Sequence, residues 1–268
     1  MVIYVGYLLF LFIGITLGLI GGGGSILTMP VLVYLYQLDP LAATTYSLFI
    51  VGSTSAFGVI YKWQSGLVDW KTALLFVFPS LVTVWLVRTV VIPLIPEILF
   101  KVEAFTLNRS TMLLLFFSML MIVVALRMIR PSRNLMRGEK EMKSPIRILI
   151  LGGITGLLTG FVGAGGGFII IPALTIFTSM PMKKAVGTSL LIIALNALFG
   201  FSTDLLISDS AINWSVMLPI LFFTLLGVLI GNNIAKKINQ DNLKIAFGWF
   251  VLILGGYILI HELRNLFV

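Results

Sequence analysis

GLIGGGGSILTMPVL, residues 18–32, decides how this chain folds, because GFVGAGGGFIIIPAL at 160–174 repeats it. The two stretches align without a gap, glycine cluster on glycine cluster and Pro30 on Pro172. The same register carries ATTYSLFI (43–50) onto AVGTSLLI (185–192) and Phe57-Gly58 onto Phe199-Gly200. Apolar bias scatters identities. It does not set a glycine break, a proline, an A-x-x-x-S-L stretch and an F-G pair in one register. The chain is a duplication of the kind found in membrane folds built from structural repeats.

Composition fixes the solvent. Of 268 residues, 59% are hydrophobic and 10% charged, where a soluble domain carries roughly 25% charged residues. Mean hydropathy is +1.11, and apolar runs long enough to cross a bilayer recur along the chain. A soluble enzyme, a nucleic-acid-binding domain and a secreted disulfide scaffold are excluded. The net charge of +8 reads as a set of topology determinants, since the basic residues fall mostly between apolar segments. With no cysteine and one histidine, His261, thiolate chemistry and multi-histidine metal sites are excluded, and no cofactor is expected. The apolar first 20 residues lack a basic leader and read as a retained helix.

Eight apolar segments follow, at 2–37, 41–61, 70–95, 107–129, 146–179, 183–206, 212–235 and 241–263. About 20 helical residues suffice for one crossing. The first and fifth are too long and are broken by Gly21–Gly24 and Gly163–Gly167. Residues 130–145, RPSRNLMRGEKEMKSP, form a basic linker between a first repeat, 1–129, and a second, 146–268. With that linker cytoplasmic, folding each broken segment back on itself leaves about 14 of the basic residues inside. Letting each cross once splits them about 10 to 8, so the positive-inside rule selects the folded-back arrangement. The expected fold is an all-α polytopic membrane protein of two inverted repeats. Each repeat is a glycine-broken helical hairpin plus three transmembrane helices, with both termini outside.

The breaks carry the chemistry. Unwound backbone survives in hydrocarbon only where it lines protein or a wet cavity. A helix that starts after such a break presents free N–H groups and the positive end of its dipole, which suit an anion. Gly21, Gly23, Gly24, Ser25, Gly163, Gly165, Gly166 and Gly167 are the candidate backbone donors. Thr45, Ser47, Thr188, Ser189 and Asn196 are the candidate side-chain donors, with Ser47 and Ser189 at matching repeat positions. Tight packing of small residues is the competing explanation for the glycines, and hydrogen bonding to their own helix is the competing explanation for the hydroxyls. Lys62, Arg88, Arg109, Arg127 and Asp204 lie near segment ends, so no ionisable group is expected deep in the membrane, which argues against a proton relay. Trp63, Trp70 and Trp214 read as interfacial anchors. No catalytic constellation is present, so the chain is not expected to be an enzyme.

The G-x-x-G-x-G-G-G-x-x-x-x-P run at 160–172, its partner at 18–30 and the A-x-x-x-S-L stretch resemble the TauE/SafE family of membrane transporters. The resemblance covers nearly the whole chain. It implies export of sulfite, sulfoacetate or a related organosulfur anion across the bacterial inner membrane by alternating access. An anion channel, or an importer of an anion such as thiosulfate, is the alternative. The expected partners are that small anion and membrane lipid, with no nucleic acid; a homodimer is left open.

Overall fold

The computed structural model describes residues 2–102, 105–129, 145–162, 167–178, 180–207, 212–235 and 240–266. Helix α1 spans Val2–Ile20. The chain breaks at Gly21 and returns through three short helical pieces, Gly22–Leu27, Thr28–Pro30 and Val31–Leu35. Helix α2 (Pro40–Gln64) and α3 (Trp70–Leu86) follow, and α3 continues through a wide π turn, Val87–Val91, into Ile92–Leu94. After α4 (Arg109–Ile129), the second half repeats the order. It holds α5 (Pro145–Val162), a return helix α6 (Gly167–Phe177), α7 (Met182–Ile207), α8 (Trp214–Ile234) and α9 (Gln240–Asn265). Among the described residues, six helices are long and apolar enough to cross a membrane. The protein is an all-α polytopic membrane protein, and its elements follow the eight apolar segments. Residues 130–144 of the basic linker lie outside the described residues.

Local chemistry sets the helix starts. Asp39 Oδ2 accepts the Leu41 N–H with Pro40 in the first turn, Asp69 Oδ1 accepts the Thr72 N–H, and Asn213 Oδ1 accepts the Val216 N–H. Each cap satisfies a donor that the helix leaves free. Rows of large apolar side chains face outward, such as Leu74, Phe78 and Val82 on α3 and Ile146, Ile150 and Ile154 on α5. Stripes of this length suit acyl chains and not water. Trp63, Trp70 and Trp214 are exposed at helix ends, in keeping with interfacial anchors.

The inner faces meet through small residues, the usual basis of close helix packing in lipid. Gly14 and Gly18 of α1 lie on Thr224, Gly227 and Gly231 of α8, and the numbering of both helices rises together, so they run parallel. Gly152, Gly156 and Gly160 of α5 lie in the same way along Phe76, Ser80 and Val87 of α3 and the turn that follows. Helices at matching positions of the two halves run antiparallel. Gly52 and Gly58 of α2 face Leu198 and Leu190 of α7, and Gly248 and Gly255 of α9 face Met128 and Met121 of α4.

One element was not expected. Residues Ile98–Val102 and Phe105–Asn108 form a short antiparallel hairpin, with Phe100 opposite Leu107 and Val102 opposite Phe105. Pro96 ends the helical path before it, and the β-branched and aromatic content of the stretch suits strands.

Candidate functional site

The glycine breaks of the two halves meet. A Cβ on Gly22 would overlap the backbone of Gly167, and a Cβ on Gly167 would overlap Gly22 in return. Gly21 begins the return at φ +77°, where a side chain is strained, and its α-carbon faces Val186 Cγ1 and Ser189 Oγ of α7. Gly23 lies in the run Gly22–Leu27. Gly24 packs on the Ile13–Leu17 stretch of α1, and Ser25 Oγ donates to the Gly22 carbonyl at 2.7 Å. Gly163, Gly165 and Gly166 lie outside the described residues. At Gly22, Gly24 and Gly167 the absence of a side chain therefore serves close backbone packing.

The polar candidates separate into three groups. Ser189, donating to the Val186 carbonyl at 2.8 Å, sits beside Gly21. Ser47, its counterpart in the first half, is fully buried and its hydroxyl has no hydrogen-bond partner among the described residues. Asn196 donates to Ser80 Oγ at 2.6 Å and leaves its Oδ1 without a partner. Thr188 and Thr45 lie elsewhere. Thr188 Oγ1 accepts the Asp69 N–H at 2.9 Å, fastening the α2–α3 connection to α7. Thr45 belongs to a charged cluster near the start of α2.

That cluster holds two ionisable groups out of contact with solvent at one end of α2 and α7, in keeping with their places near segment ends. Arg88 is 4% exposed and Asp204 7%. Arg88 Nη1 meets Asp204 Oδ2 at 2.6 Å, Thr45 Oγ1 donates to the same oxygen at 2.6 Å, and Thr44 Oγ1 accepts from Nη1 at 3.2 Å. Arg88 Nε and Nη2 have no partner among the described residues. Glu262 is a second buried carboxylate and accepts the Tyr34 hydroxyl at 2.8 Å. Both clusters use a π turn, Val87–Val91 for Arg88 and Val31–Leu35 for Tyr34. Such turns re-aim side chains and recur at functional sites. Arg88 and Asp204 sit near segment ends in sequence, where a long side chain can snorkel to the interface; only tertiary packing buries them.

Two cavities stand at opposite ends of the antiparallel pair α2 and α7. One, of about 310 Å³, is lined by Tyr61, Lys62, Lys183, Val186, Asn232 and Asn233. The other, of about 170 Å³, is lined by Leu41, Thr45, Arg88, Arg109, Asp204 and Ile207. Along α2 they are roughly 25 Å apart at about 1.5 Å per residue, close to the thickness of a bilayer core. Val186 borders the larger cavity and also touches Gly21, so that cavity backs onto the first glycine break.

A family model described as Sulfite exporter TauE/SafE matches residues 7–258. The chain belongs to the TauE/SafE family. Curated relatives carry the name of probable membrane transporter protein. One from Xylella fastidiosa is 29% identical, with 92% of this chain and 91% of the relative covered. One from Methanocaldococcus jannaschii is 25% identical, covering 97% and 95%, and one from Bacillus subtilis is 24% identical, covering 91% and 92%. No solved structure matches at a significant level. This TauE/SafE protein is a multi-pass membrane transporter.

Proposed function

We propose that the protein exports a small sulfur oxyanion, sulfite or an organosulfonate such as sulfoacetate, across the bacterial inner membrane by alternating access. Its two halves, 1–129 and 146–268, act as inverted repeats joined by a cytoplasmic linker, with both termini outside. The anion is held where the glycine breaks approach each other. Backbone N–H groups of Gly21, Gly23, Gly163, Gly165 and Gly166 act there with Ser47, Ser189 and Asn196.

The observation that carries this reading is the pair of cavities at opposite ends of α2 and α7, with the joined breaks of Gly22 and Gly167 in the same helix system. The antiparallel course of matching helices supports inversion of the repeats. Lysines 62 and 183 at the larger cavity support a cytoplasmic mouth that gathers anions. Backbone contact between Gly22 and Gly167 favours a carrier, which must rearrange, over a pore that stands open. The membrane potential, negative inside, favours exit by about 2.3 kcal/mol per charge per 100 mV. The family description supports sulfite as the first anion to test.

Titration calorimetry of sulfite, sulfoacetate, thiosulfate and sulfate into the purified protein tests this reading. Saturable binding of a sulfur oxyanion is the expected result. Absence of binding by all four anions would overturn it.

A further inference from the structure

The two cavities are counterparts under the internal repeat. The register that aligns ATTYSLFI with AVGTSLLI also pairs Leu41 with Lys183 and Lys62 with Asp204. Arg88 and Asn232 stand at the same remove from Trp70 and Trp214, which open the matching helices α3 and α8. Each cavity therefore has one buried polar side chain, from the π turn that extends α3 or from α8, with unpartnered atoms among the described residues: Arg88 Nε and Nη2 at one end, Asn232 Nδ2 and Oδ1 at the other. The difference between them is charge. Where the Lys62 cavity has a lysine, the Arg88 cavity has the carboxylate of Asp204.

That carboxylate occupies the place of a ligand. One oxygen of Asp204 takes a guanidinium donor and a threonine hydroxyl, the donor set an oxyanion takes. The guanidinium is a planar fork suited to two parallel bonds, yet Asp204 uses Nη1 alone. Arg109 adds a second positive group to the cavity wall. Leaving guanidinium donors unpaired in a buried site is costly. A purely structural ion pair has no need of that cost.

We infer that Arg88, Thr45 and Arg109 form a second oxyanion station on the face opposite the Lys62 cavity, and that Asp204 is its tethered competitor. A sulfur oxyanion arriving from the glycine breaks takes the Arg88 fork and the Thr45 hydroxyl. Asp204 then reclaims them, which lowers the residence time of the anion and sends it outward. At the other end the corresponding Lys62 attracts the anion instead. The same pair of positions thus favours capture on one face and release on the other. This inference rests on the export reading above.

Sulfite titration of the full chain tests it with two variants. Asp204→Asn removes the competitor and should tighten sulfite binding about tenfold or more, the scale of a hydrogen bond to a charged group. Arg88→Lys keeps the charge opposite Asp204, and with it the fold, but lacks the fork; it should weaken sulfite binding about tenfold. A structural ion pair predicts the reverse pattern, in which Asp204→Asn lowers the melting temperature without tightening and Arg88→Lys leaves affinity unchanged. A folded Asp204→Asn protein with no gain in affinity, or an Arg88→Lys protein with wild-type affinity, overturns the station. Failure of the wild type and both variants to bind sulfite, sulfoacetate, thiosulfate and sulfate alike overturns the export reading, and the station with it.

Discussion

At the scale of single residues, glycine performs two different tasks in one short run. Gly22 and Gly167 let two backbones touch, whereas Gly21 supplies a backbone angle of φ +77°. Gly22→Ala places a methyl group on the Gly167 backbone and should lower thermal stability and abolish transport together. Ser47 offers the cleaner probe of binding, because its buried hydroxyl has no partner to lose among the described residues. Ser47→Ala should leave the melting temperature unchanged or raise it, since a buried unpaired hydroxyl is unfavourable. If the hydroxyl meets the anion, the same change should cost about 1–2 kcal/mol of sulfite affinity by calorimetry. Unchanged affinity would remove Ser47 from the site. The glycine runs and the paired serines were legible in the sequence because repetition singled them out. The Arg88–Asp204 pair was not: its members lie in different halves, and each taken alone looks like a residue at a helix end.

At the scale of elements, the helix bounds were legible in the lengths of the apolar runs, and the caps found in the structure fall at the same places. Asp39, Asp69 and Asn213 mark starts that the apolar runs also mark. The hairpin Ile98–Val102 and Phe105–Asn108 was not legible, since two strands this short are too brief to show a two-residue period. Which helices pair was equally hidden, because glycines on α1 and α5 do not name their partners. Those pairings are testable. Gly14→Leu would drive a side chain into the backbone at Thr224, and Gly156→Leu into that at Ser80. Each should destabilise by about 1–3 kcal/mol or prevent assembly. Gly256→Leu, with nothing within 4 Å of its Cβ position, should be neutral. Equal tolerance of all three in thermal unfolding would contradict the packing described.

At the scale of the whole molecule, the helix pairings of one half recur in the other with partners exchanged. The pair α1 and α8 matches α5 and α3, while α2 packs on its own counterpart α7. The sequence carries the duplication in its register, and the distribution of lysine and arginine suggests its orientation. Absence of native cysteine makes that orientation directly measurable. Ser65→Cys, at the Lys62 end, should resist a membrane-impermeant thiol reagent in intact cells, and Asn108→Cys, at the Arg88 end, should react. A reactive Ser65→Cys with a protected Asn108→Cys would reverse the assignment of faces. The central claim is that the protein is a carrier that alternates between its two cavities, and counterflow tests it most directly. Proteoliposomes loaded with unlabelled sulfite and diluted into a trace of radiolabelled sulfite should take up label to a transient overshoot, faster than unloaded vesicles. Uptake that rises without overshoot and ignores the internal sulfite would contradict alternating access.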